Sequence, residues 1–484
     1  MSVRLTSLVK RHLGVDPEIT GVTADSRKVK PGFLFAALPG SKADGTSFAQ
    51  KAVEAGAVAV LAHEDLNLAV PTIICRDPRR GYALAAANFW GRQPQTCVAV
   101  TGTNGKTSVA NFCRQMFAGA GHVSASMGTL GVTVSRPGAK DQQVTPPGLT
   151  TPDAGDVAEL LMRISQLGVT HFAMEASSHG IDQRRLDGVR LSAAGYLNLT
   201  QDHLDYHLTM DNYLKAKLRL FEQLMPRGGT AVLNADSEAF PFFAAASVVS
   251  GQRVMSVGET GQALRLLDRA LLPEGQRLSI RAEGKVYDVR LPLAGAFQAS
   301  NALVAAGLCR AAGISLEQTF AGLETLTGAP GRLQRVGAGP RGGEAYVDYA
   351  HTPDGLATVL EALRPHARGR LIVVFGAGGD RDKTKRPLMG QIAAALADIA
   401  IVTDDNPRSE VPAAIRADVL AGAKTAREIG DRREAIRAAT AMMVDGDILV
   451  VAGKGHEQGQ IVGETVHPFD DVQETAKALE LVHG

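Results

Sequence analysis

The segment TGTNGKT at residues 101–107 has the residue types of a phosphate-binding loop. It lies between a buried-strand pattern and a helical pattern, where backbone N–H groups and a helix N-terminus hold phosphate oxygens. Lys106 is placed to meet the β- and γ-phosphates of a nucleotide, and Thr107 to meet a magnesium ion. The spacing is a shortened variant of the usual motif, because Val100 stands five residues before Gly105. The strand-loop-helix context favours phosphate binding over a glycine turn with a capping threonine.

Candidate metal ligands follow other strand patterns. Glu175 ends the run HFAME, and His203 and His207 lie in the run QDHLDYH. Magnesium takes oxygen ligands and keeps several waters, so a few side chains and the phosphates of ATP suffice. Taken alone, a glutamate at a strand end is more often solvated, and each histidine is more often a hydrogen-bonded structural residue.

Three chemically dense loops follow buried-strand patterns in the last third of the chain. The strands are predicted at residues 371–375, 399–403 and 448–452, and they lead into GAGGDRDKTKR, DDNPR and GKGHE. Ligands of open α/β sheets bind outside the carboxyl ends of the strands, so these loops are predicted to line one crevice.

The elements that must position these residues are strands and helices in alternation, which predicts an α/β protein. A length of 484 residues predicts three domains, at residues 1–94, 95–332 and 333–484. The formal net charge of +1 offers no overall positive field for nucleic acid. Four cysteines are scattered without metal-site spacing and are predicted to be small buried hydrophobes: Cys75, Cys97, Cys113 and Cys309.

The start of the sequence lacks the apolar core of a signal peptide, and no run approaches the roughly 18 apolar residues that span a membrane. We therefore expect a cytoplasmic protein without membrane insertion, and we expect a monomer.

Six motifs in order along nearly the whole chain resemble those of the Mur ligase family. They are TGTNGKT, EASSHG, NLTQDHLDYH, GAFQASN at 295–301, DYAHTP at 348–353 and GKGHE. The resemblance implies an amino-terminal domain for a uridine nucleotide, a central domain with a P-loop ATPase-type sheet, and a carboxyl-terminal Rossmann-like domain for an amino acid. It also implies an ATP-dependent, ADP-forming ligase of peptidoglycan precursor synthesis, with magnesium as cofactor. ATP would phosphorylate the side-chain carboxylate of D-glutamate in UDP-N-acetylmuramoyl-L-alanyl-D-glutamate, and the incoming amine would attack the acyl phosphate.

The resemblance carries site residues onto this sequence. Implied ATP contacts are Gly102, Thr103, Asn104, Gly105, Lys106, Thr107, Ser108, Asn301, Arg332 and Asp348. Implied contacts to the uridine-linked substrate are Ser26, Ser41, Lys42, Ala43, Thr150, Thr151, Ser177, Gln183 and Arg185. Implied metal-site residues are Thr107, Glu175, His203 and Lys217, the last as a carbamate (N6-carboxylysine), and Lys106, His203 and Lys217 are the implied catalytic residues. Without the resemblance, Lys217 would be predicted to be a solvated helix lysine.

The tetrad DNPR at residues 405–408 resembles the family members that add meso-diaminopimelate. This amino acid carries an additional carboxylate, which Arg408 can bind bidentately, whereas L-lysine would leave a buried guanidinium unpaired. The implied amino-acid contacts are Arg381, Asp405, Asn406, Pro407, Arg408, Gly453 and Glu457. The plainer interpretation is a turn followed by a surface charge at Arg408.

Several alternatives stay open at this point. The basic residues Lys383, Lys385 and Arg386 are also consistent with a solvated charge run. L-Lysine could be the acceptor in the same reaction. Folylpolyglutamate synthase uses a related phosphate loop and an acyl phosphate but lacks the uridine domain. A phosphate-loop regulatory ATPase is an alternative from another class, although it would not need an amino-acid crevice.

Overall fold

The computed structural model describes residues 2–11, 14–40, 44–146, 148–272, 275–339 and 341–481. The chain forms two compact units. The first unit contains residues 1–266, 281–284 and 301–322, and the second contains residues 267–280, 285–300 and 323–484. The α/β prediction is confirmed by parallel sheets in both units, whereas the exact domain boundaries stay a prediction.

The first unit begins with a four-stranded parallel sheet of order β3-β4-β5-β6. The strands of this segment are β1 (Val3–Arg4), β2 (Glu18–Ile19), β3 (Gly21–Thr23), β4 (Phe33–Ala36), β5 (Ala59–Ala62) and β6 (Thr72–Ile74). Its helices are α1 (Leu5–Val9), α2 (Ala49–Glu54) and α3 (Pro78–Trp90). Asp77 caps α3 by accepting the Arg80 N–H at 3.1 Å, and Gly91 ends the helix with a φ of +70°.

A larger sheet in the first unit carries the phosphate loop. Eight of its strands are β7 (Thr96–Thr101), β8 (Ser124–Gly128), β9 (Gly131–Ser135), β10 (Gln142–Thr145), β11 (His171–Glu175), β12 (Ala193–Tyr196), β13 (Thr230–Asn234) and β14 (Arg253–Gly258). They are ordered β10-β9-β8-β11-β7-β12-β13-β14, and the five strand pairs from β8 to β14 are all parallel. The carboxyl ends of β7, β11 and β12 therefore lie at one edge of the sheet.

The helices that accompany this sheet are α4 (Lys106–Gly119), α5 (Ala154–Gln166), α6 (Ser178–Asp182), α7 (Leu204–His207), α8 (Met210–Arg219) and α9 (Phe240–Val249). Helix α4 starts directly from the phosphate loop. Gly105 precedes it with a φ of +89°, a conformation that glycine adopts at little cost.

Three strands and two helices follow before the last sheet. They are β15 (Leu264–Leu272), β16 (Gly275–Ala282), β17 (Lys285–Leu291), α10 (Ala296–Ala311) and α11 (Leu316–Leu323).

The second unit contains a six-stranded sheet of order β18-β19-β23-β20-β21-β22, parallel except for β18. Its strands are β18 (Gln334–Ala338), β19 (Glu344–Asp348), β20 (Leu371–Phe375), β21 (Ile399–Val402), β22 (Arg427–Glu428) and β23 (Ile448–Ala452), and β24 (Gly459–Val462) pairs with β25 (Thr465–Pro468). The helices are α12 (Pro353–Leu363), α13 (Lys385–Leu396), α14 (Pro412–Leu420), α15 (Arg432–Met442) and α16 (Asp471–Leu481).

Alternate side chains of β20 enter two different cores of this unit. Val373 packs in a cluster with Leu360 of α12, whereas Val374 packs in a second cluster with Ile436 of α15. A parallel sheet covered on both faces requires such continuously apolar strands, which explains why β20 and β23 match their sequence predictions.

Two further expectations can be compared with the fold. Cys97, Cys113 and Cys309 are buried and Cys75 is half-buried, all as free thiols, so the cysteine prediction is confirmed for three of the four. Among the described residues, no helix combines the length and the apolar character needed to cross a bilayer.

Candidate active site

The phosphate loop is anchored by Asn198, which follows β12. Its side-chain Oδ1 accepts the backbone N–H groups of Thr103 at 3.1 Å and Asn104 at 2.9 Å. The Thr103 hydroxyl bonds to the carbonyl oxygen of Thr200 at 3.2 Å, so this predicted ATP contact also holds the loop. Sequence analysis missed Asn198, although an asparagine at the end of a strand beside the loop is the available signal.

Two lysines meet at the phosphate loop. The Nζ atoms of Lys106 and Lys217 donate to the carbonyl oxygen of Gly102 at 2.9 and 2.8 Å. Lys217 is 1% exposed, and its Nζ lies 4.3 Å from the centre of the Tyr213 ring. Burial, and next the charge of Lys106, lowers the pKa of Lys217 well below its usual value. The solvated interpretation of Lys217 is therefore wrong.

Asn301 lies directly beside the phosphate loop. A Cβ atom added to Gly105 would overlap its Oδ1, and Asn301 is 4% exposed. Thr107 is half-buried and Ser108 is buried, in the first turn of α4. The structure thus brings the predicted ATP residues of the first unit together.

Glu175 is buried rather than solvated. It is 2% exposed, its Oε1 accepts the Thr129 N–H at 2.8 Å, and its carbonyl oxygen accepts the Thr151 hydroxyl at 3.2 Å. It ends β11, next to the strand that leads into the phosphate loop. Sequence position alone did not reveal these contacts.

The two histidines of QDHLDYH differ in surroundings. His203 has a side chain that is 46% exposed and lies edge-to-face with the ring of His179, with centroids 4.9 Å apart. His207 is 5% exposed, and its Nε2 lies 3.0 Å from the Ser178 hydroxyl. Burial lowers the pKa values of His179 and His207. Within the described ranges, no group of three histidine, cysteine or acidic side chains is placed to hold a metal ion.

Four predicted contacts to the uridine-linked substrate form one hydrogen-bonded group. The Thr151 hydroxyl lies 2.9 Å from the Ser177 hydroxyl. Arg185 donates from Nη1 to the Thr151 carbonyl oxygen and from Nη2 to Gln183 Oε1, both at 2.6 Å. Gln183 and Arg185 line a cavity of about 110 Å³ together with Tyr82, which sequence analysis did not single out.

The remaining predicted contacts of this set are less connected. The Thr150 hydroxyl lies 3.0 Å from that of Thr129. Ser26 is half-buried in a 3₁₀ turn that is capped by the neighbouring Asp25. The predicted contacts Ser41, Lys42 and Ala43 lie outside the described residues.

In the second unit, Arg332 and Asp348 lie close to each other and next to Tyr349. The guanidinium carbon of Arg332 is 4.6 Å from the centre of the Tyr349 ring. The Asp348 carboxylate accepts the N–H groups of Leu333 at 2.6 Å and Ala350 at 2.8 Å. Burial raises the pKa of Asp348 to about 6, against the opposing charge of Arg332.

Arg408 is held in place by its backbone and its side chain. Its φ is +52°, its N–H donates to the Ile461 carbonyl oxygen at 3.0 Å, and its Nη1 donates to the Gly379 carbonyl oxygen at 2.8 Å. A Cβ atom at Gly378 would lie 2.9 Å from Arg408 Nη1 and 3.9 Å from Cγ of the exposed Arg381. Two predicted carboxylate-binding groups therefore flank Gly378, and Arg408 is not a free surface charge.

The loops after β21 and β23 come together around Lys454. Asn406 donates from Nδ2 to Glu457 Oε2 at 2.9 Å, and Asp405 Oδ1 lies 3.3 Å from Lys454 Nζ. Pro407 is buried, and Gly453 has a φ of +122°. Lys454 is fully buried and was absent from the predicted contacts.

The solvated interpretation is wrong for Arg386. It is 1% exposed and donates to Glu410 at 2.8 Å and to Asp418 at 2.9 Å. Lys385 is half-buried and donates to the His351 carbonyl oxygen at 2.8 Å, whereas Lys383 is exposed. The carboxylates that pair with Arg386 lie more than 20 residues further along the chain, so they could not be predicted from the local charge run.

A phosphate loop between a parallel strand and a helix, and a charged crevice on a second parallel sheet, are the features expected of an ATP-dependent ligase of α/β fold. Residues 18–87 match "Mur ligase family, catalytic domain", residues 100–309 match "Mur ligase middle domain", and residues 331–455 match "Mur ligase, glutamate ligase domain". The chain belongs to the Mur ligase family.

Individual relatives agree over the full length. The chain is 69% identical over 482 residues to a UDP-N-acetylmuramoyl-L-alanyl-D-glutamate–2,6-diaminopimelate ligase from Caulobacter vibrioides, covering 99% of each chain. A solved structure with the same protein name has 33% identity, a TM-score of 0.78 and full coverage of both chains. Folylpolyglutamate synthase from Mycobacterium tuberculosis, complexed with ADP and AMPPCP, has 20% identity and a TM-score of 0.60, with 84% of this chain and 95% of that chain covered. The comparison with folylpolyglutamate synthase shows that the two proteins share a fold.

Proposed function

We propose that this protein joins meso-diaminopimelate to the γ-carboxylate of D-glutamate in UDP-N-acetylmuramoyl-L-alanyl-D-glutamate, with ATP cleaved to ADP and phosphate. The reaction is a step of peptidoglycan precursor synthesis and takes place in the cytoplasm. The names of relatives that share up to 69% identity support this proposal. The single observation that carries the choice of amino acid is the fixed, half-buried guanidinium of Arg408 beside Gly378.

The chemistry needs two transfers. The D-glutamate carboxylate takes the γ-phosphoryl group and releases ADP, which gives an acyl phosphate. The neutral amine of the amino acid then attacks the acyl carbon, the tetrahedral adduct expels phosphate, and the proton of the amine is lost. Positioning and the neutralisation of phosphate charge supply most of the catalysis in such transfers. Lys106, at the N-terminus of α4, is placed to neutralise phosphate charge.

Magnesium binding is supported by the donors around the phosphate loop. Thr107, Glu175, His203 and a carbamate on Lys217 would hold the ion. Magnesium takes most of its oxygens from phosphates and water, so a few protein donors suffice. When bound, magnesium neutralises charge on the transferred phosphoryl group.

A carbamate on Lys217 is supported by its burial. Carbon dioxide reacts with a neutral amine, and burial lowers the pKa of Lys217 so that the amine form is accessible. The modification would also replace a cation close to Lys106 with an anion, which removes the repulsion between the two side chains.

Substrate binding divides between the two units. Thr151, Ser177, Gln183 and Arg185 offer hydroxyl, amide and guanidinium groups to the uridine-linked substrate. In the second unit, Arg381 and Arg408 suit the carboxylates of the amino acid. Asp405 and Glu457 suit its ammonium groups.

The proposal is tested by ADP release from the purified protein with magnesium, ATP and the UDP-linked dipeptide, with either meso-diaminopimelate or L-lysine added. We expect release that depends on diaminopimelate and a tripeptide product identified by mass. Equal use of L-lysine would contradict the role of Arg408 in selecting diaminopimelate, although the protein would still be a ligase. ADP release that is independent of both amino acids would indicate a regulatory ATPase instead.

A further inference from the structure

Lys454 is a fully buried cation with two hydrogen-bond acceptors and a carboxylate close by. Its Nζ donates to Asn406 Oδ1 at 2.7 Å and to the Gly459 carbonyl oxygen at 2.8 Å, and it lies 3.3 Å from Asp405 Oδ1. The side chain is 0% exposed, so it does not itself reach a ligand in the crevice. Burying an ammonium group is costly unless it is paired, so its position calls for an explanation.

The position of Lys454 determines how the Asn406 amide is oriented. Oδ1 of Asn406 faces two groups that can only donate, the ammonium of Lys454 and the N–H of Ile461 at 2.9 Å. A rotated amide would place its NH₂ group against both donors. Nδ2 must therefore face the remaining neighbour, Glu457 Oε2, at 2.9 Å.

The same ammonium balances two carboxylates. Lys454 Nζ lies 3.3 Å from Asp405 and 3.7 Å from Glu457. Arg432 and Lys385 also act on the Asp405 carboxylate, but Arg432 is already bound bidentately by Asp471 and Lys385 donates to the His351 carbonyl oxygen at 2.8 Å. Without the charge of Lys454, the repulsion between the two carboxylates would not be balanced.

We infer that Lys454 is a positioning residue of the amino-acid crevice. Through the Asn406 amide it orients Glu457, and through its charge it holds Asp405 and Glu457 near each other for the ammonium group of the incoming amino acid. The inference rests on the proposed function, because it concerns the same crevice and the same reaction.

The test compares Lys454→Met, which removes the charge and the donor, with Lys454→Gln, which keeps a donor for Asn406 and removes only the charge. For Lys454→Met we expect KM for meso-diaminopimelate to rise on the order of 10- to 100-fold, as for loss of a partner in a buried charge pair. KM for ATP and for the UDP-linked dipeptide should stay within about twofold. The exposed Lys424, changed to Met, is the matched control and should leave all three constants unaltered.

The split between KM and kcat separates positioning from a merely structural role. Loss of the Asn406 donor should raise KM for the amino acid alone in Lys454→Met, and Lys454→Gln, which keeps a donor for Asn406, should restore part of the loss. If Lys454→Met does not fold, Lys454→Gln decides by whether its KM for the amino acid rises while KM for ATP stays the same. An unchanged KM for the amino acid, or a proportional fall of activity without change in any KM, would overturn the inference. Failure of the wild-type protein to release ADP with diaminopimelate would instead overturn the proposed function.

Discussion

Lys106 and Lys217 donate to one and the same carbonyl oxygen, that of Gly102. One lysine comes from the start of α4 and the other from α8, so the loop between β7 and α4 is held by cations from two helices. The Lys217 side chain is buried and close to Lys106, and both effects lower its pKa well below the usual value.

The first prediction concerns the carbamate on Lys217. Exhaustive removal of carbon dioxide and bicarbonate should reduce the rate of ADP release, and added bicarbonate should restore it. Carbon-13-labelled bicarbonate should give a carbamate signal in the NMR spectrum of the wild-type protein. Lys217→Gln should lose the signal and on the order of 100-fold in kcat, because a group that would hold magnesium at the transferred phosphoryl group is removed.

Lys215 provides the control for this prediction. It lies two residues away on the same helix, is 68% exposed and pairs with Asp211 at 2.6 Å. Lys215→Gln should retain both the carbamate signal and the activity. A labelled signal that persists in Lys217→Gln would place the modification elsewhere.

The second prediction concerns Gly105→Ala. A Cβ atom at this position would overlap Asn301 Oδ1 and would occupy a φ of +89°, which costs about 1 kcal/mol or more for a residue other than glycine. We expect KM for ATP to rise at least about tenfold, as measured by initial rates. Gly119→Ala, at the other end of α4 with no atom within 4 Å of the added Cβ, should leave KM for ATP unaltered.

The third prediction concerns the choice of amino acid. Arg408→Ala should raise KM for meso-diaminopimelate on the order of 100-fold, because a carboxylate of the substrate loses its partner. Discrimination against L-lysine should fall by a similar factor. Arg427→Ala, an exposed arginine on β22, is the control. Unaltered discrimination in Arg408→Ala would show that the terminal carboxylate binds elsewhere.

The fourth prediction compares neighbouring arginines on α15. Arg432 pairs with Asp471 of α16, and both side chains are 0% exposed. Arg433 is 44% exposed and pairs with Glu474, which also lies on α16. Arg432→Ala should lower the free energy of unfolding by about 3–5 kcal/mol, because a buried carboxylate is left unpaired. Arg433→Ala should change it by less than about 1 kcal/mol. Denaturant unfolding measures both, and similar values for the two variants would contradict the buried pair.

The fifth prediction concerns pH. Burial, and next the charge of Arg332, lowers the pKa of His456 from 6.5 to about 4. Between these values the unfolded chain binds a proton that the folded protein does not bind, so the free energy of unfolding falls as the pH falls. NMR titration of the His456 ring should give a midpoint near 4. Between pH 7 and pH 5, the free energy of unfolding should fall by about 1 kcal/mol less in His456→Gln than in the wild type. This figure allows for the partial exposure of the ring.

The parts of the fold that sequence analysis predicted well are those with a local signal. The buried strands β20 and β23 consist of unbroken apolar runs, and their observed bounds equal the predicted ones. The phosphate loop likewise has its chemistry and its context within about ten residues. The family prediction is confirmed for the same reason, since its motifs are contiguous.

Buried charges were not predictable from local sequence. Lys454 has acceptors 48 residues away at Asn406 and five residues away at Gly459, and only the folded loops bring both to one ammonium group. Arg386 depends in the same way on Glu410. A lone lysine or arginine in a polar run is usually solvated, so the general rule fails where distant groups converge.

The second unit is assembled from three separate stretches of the chain. A fragment of residues 333–484 would omit residues 267–280, 285–300 and 323–332 of that unit. The amino-acid crevice therefore cannot be transferred to another ligase by exchanging carboxyl-terminal segments alone. Such an exchange would omit part of the unit in which the crevice folds. A chimera that keeps this unit whole would need to include residues 267–280 and 285–300 as well as residues 323–484.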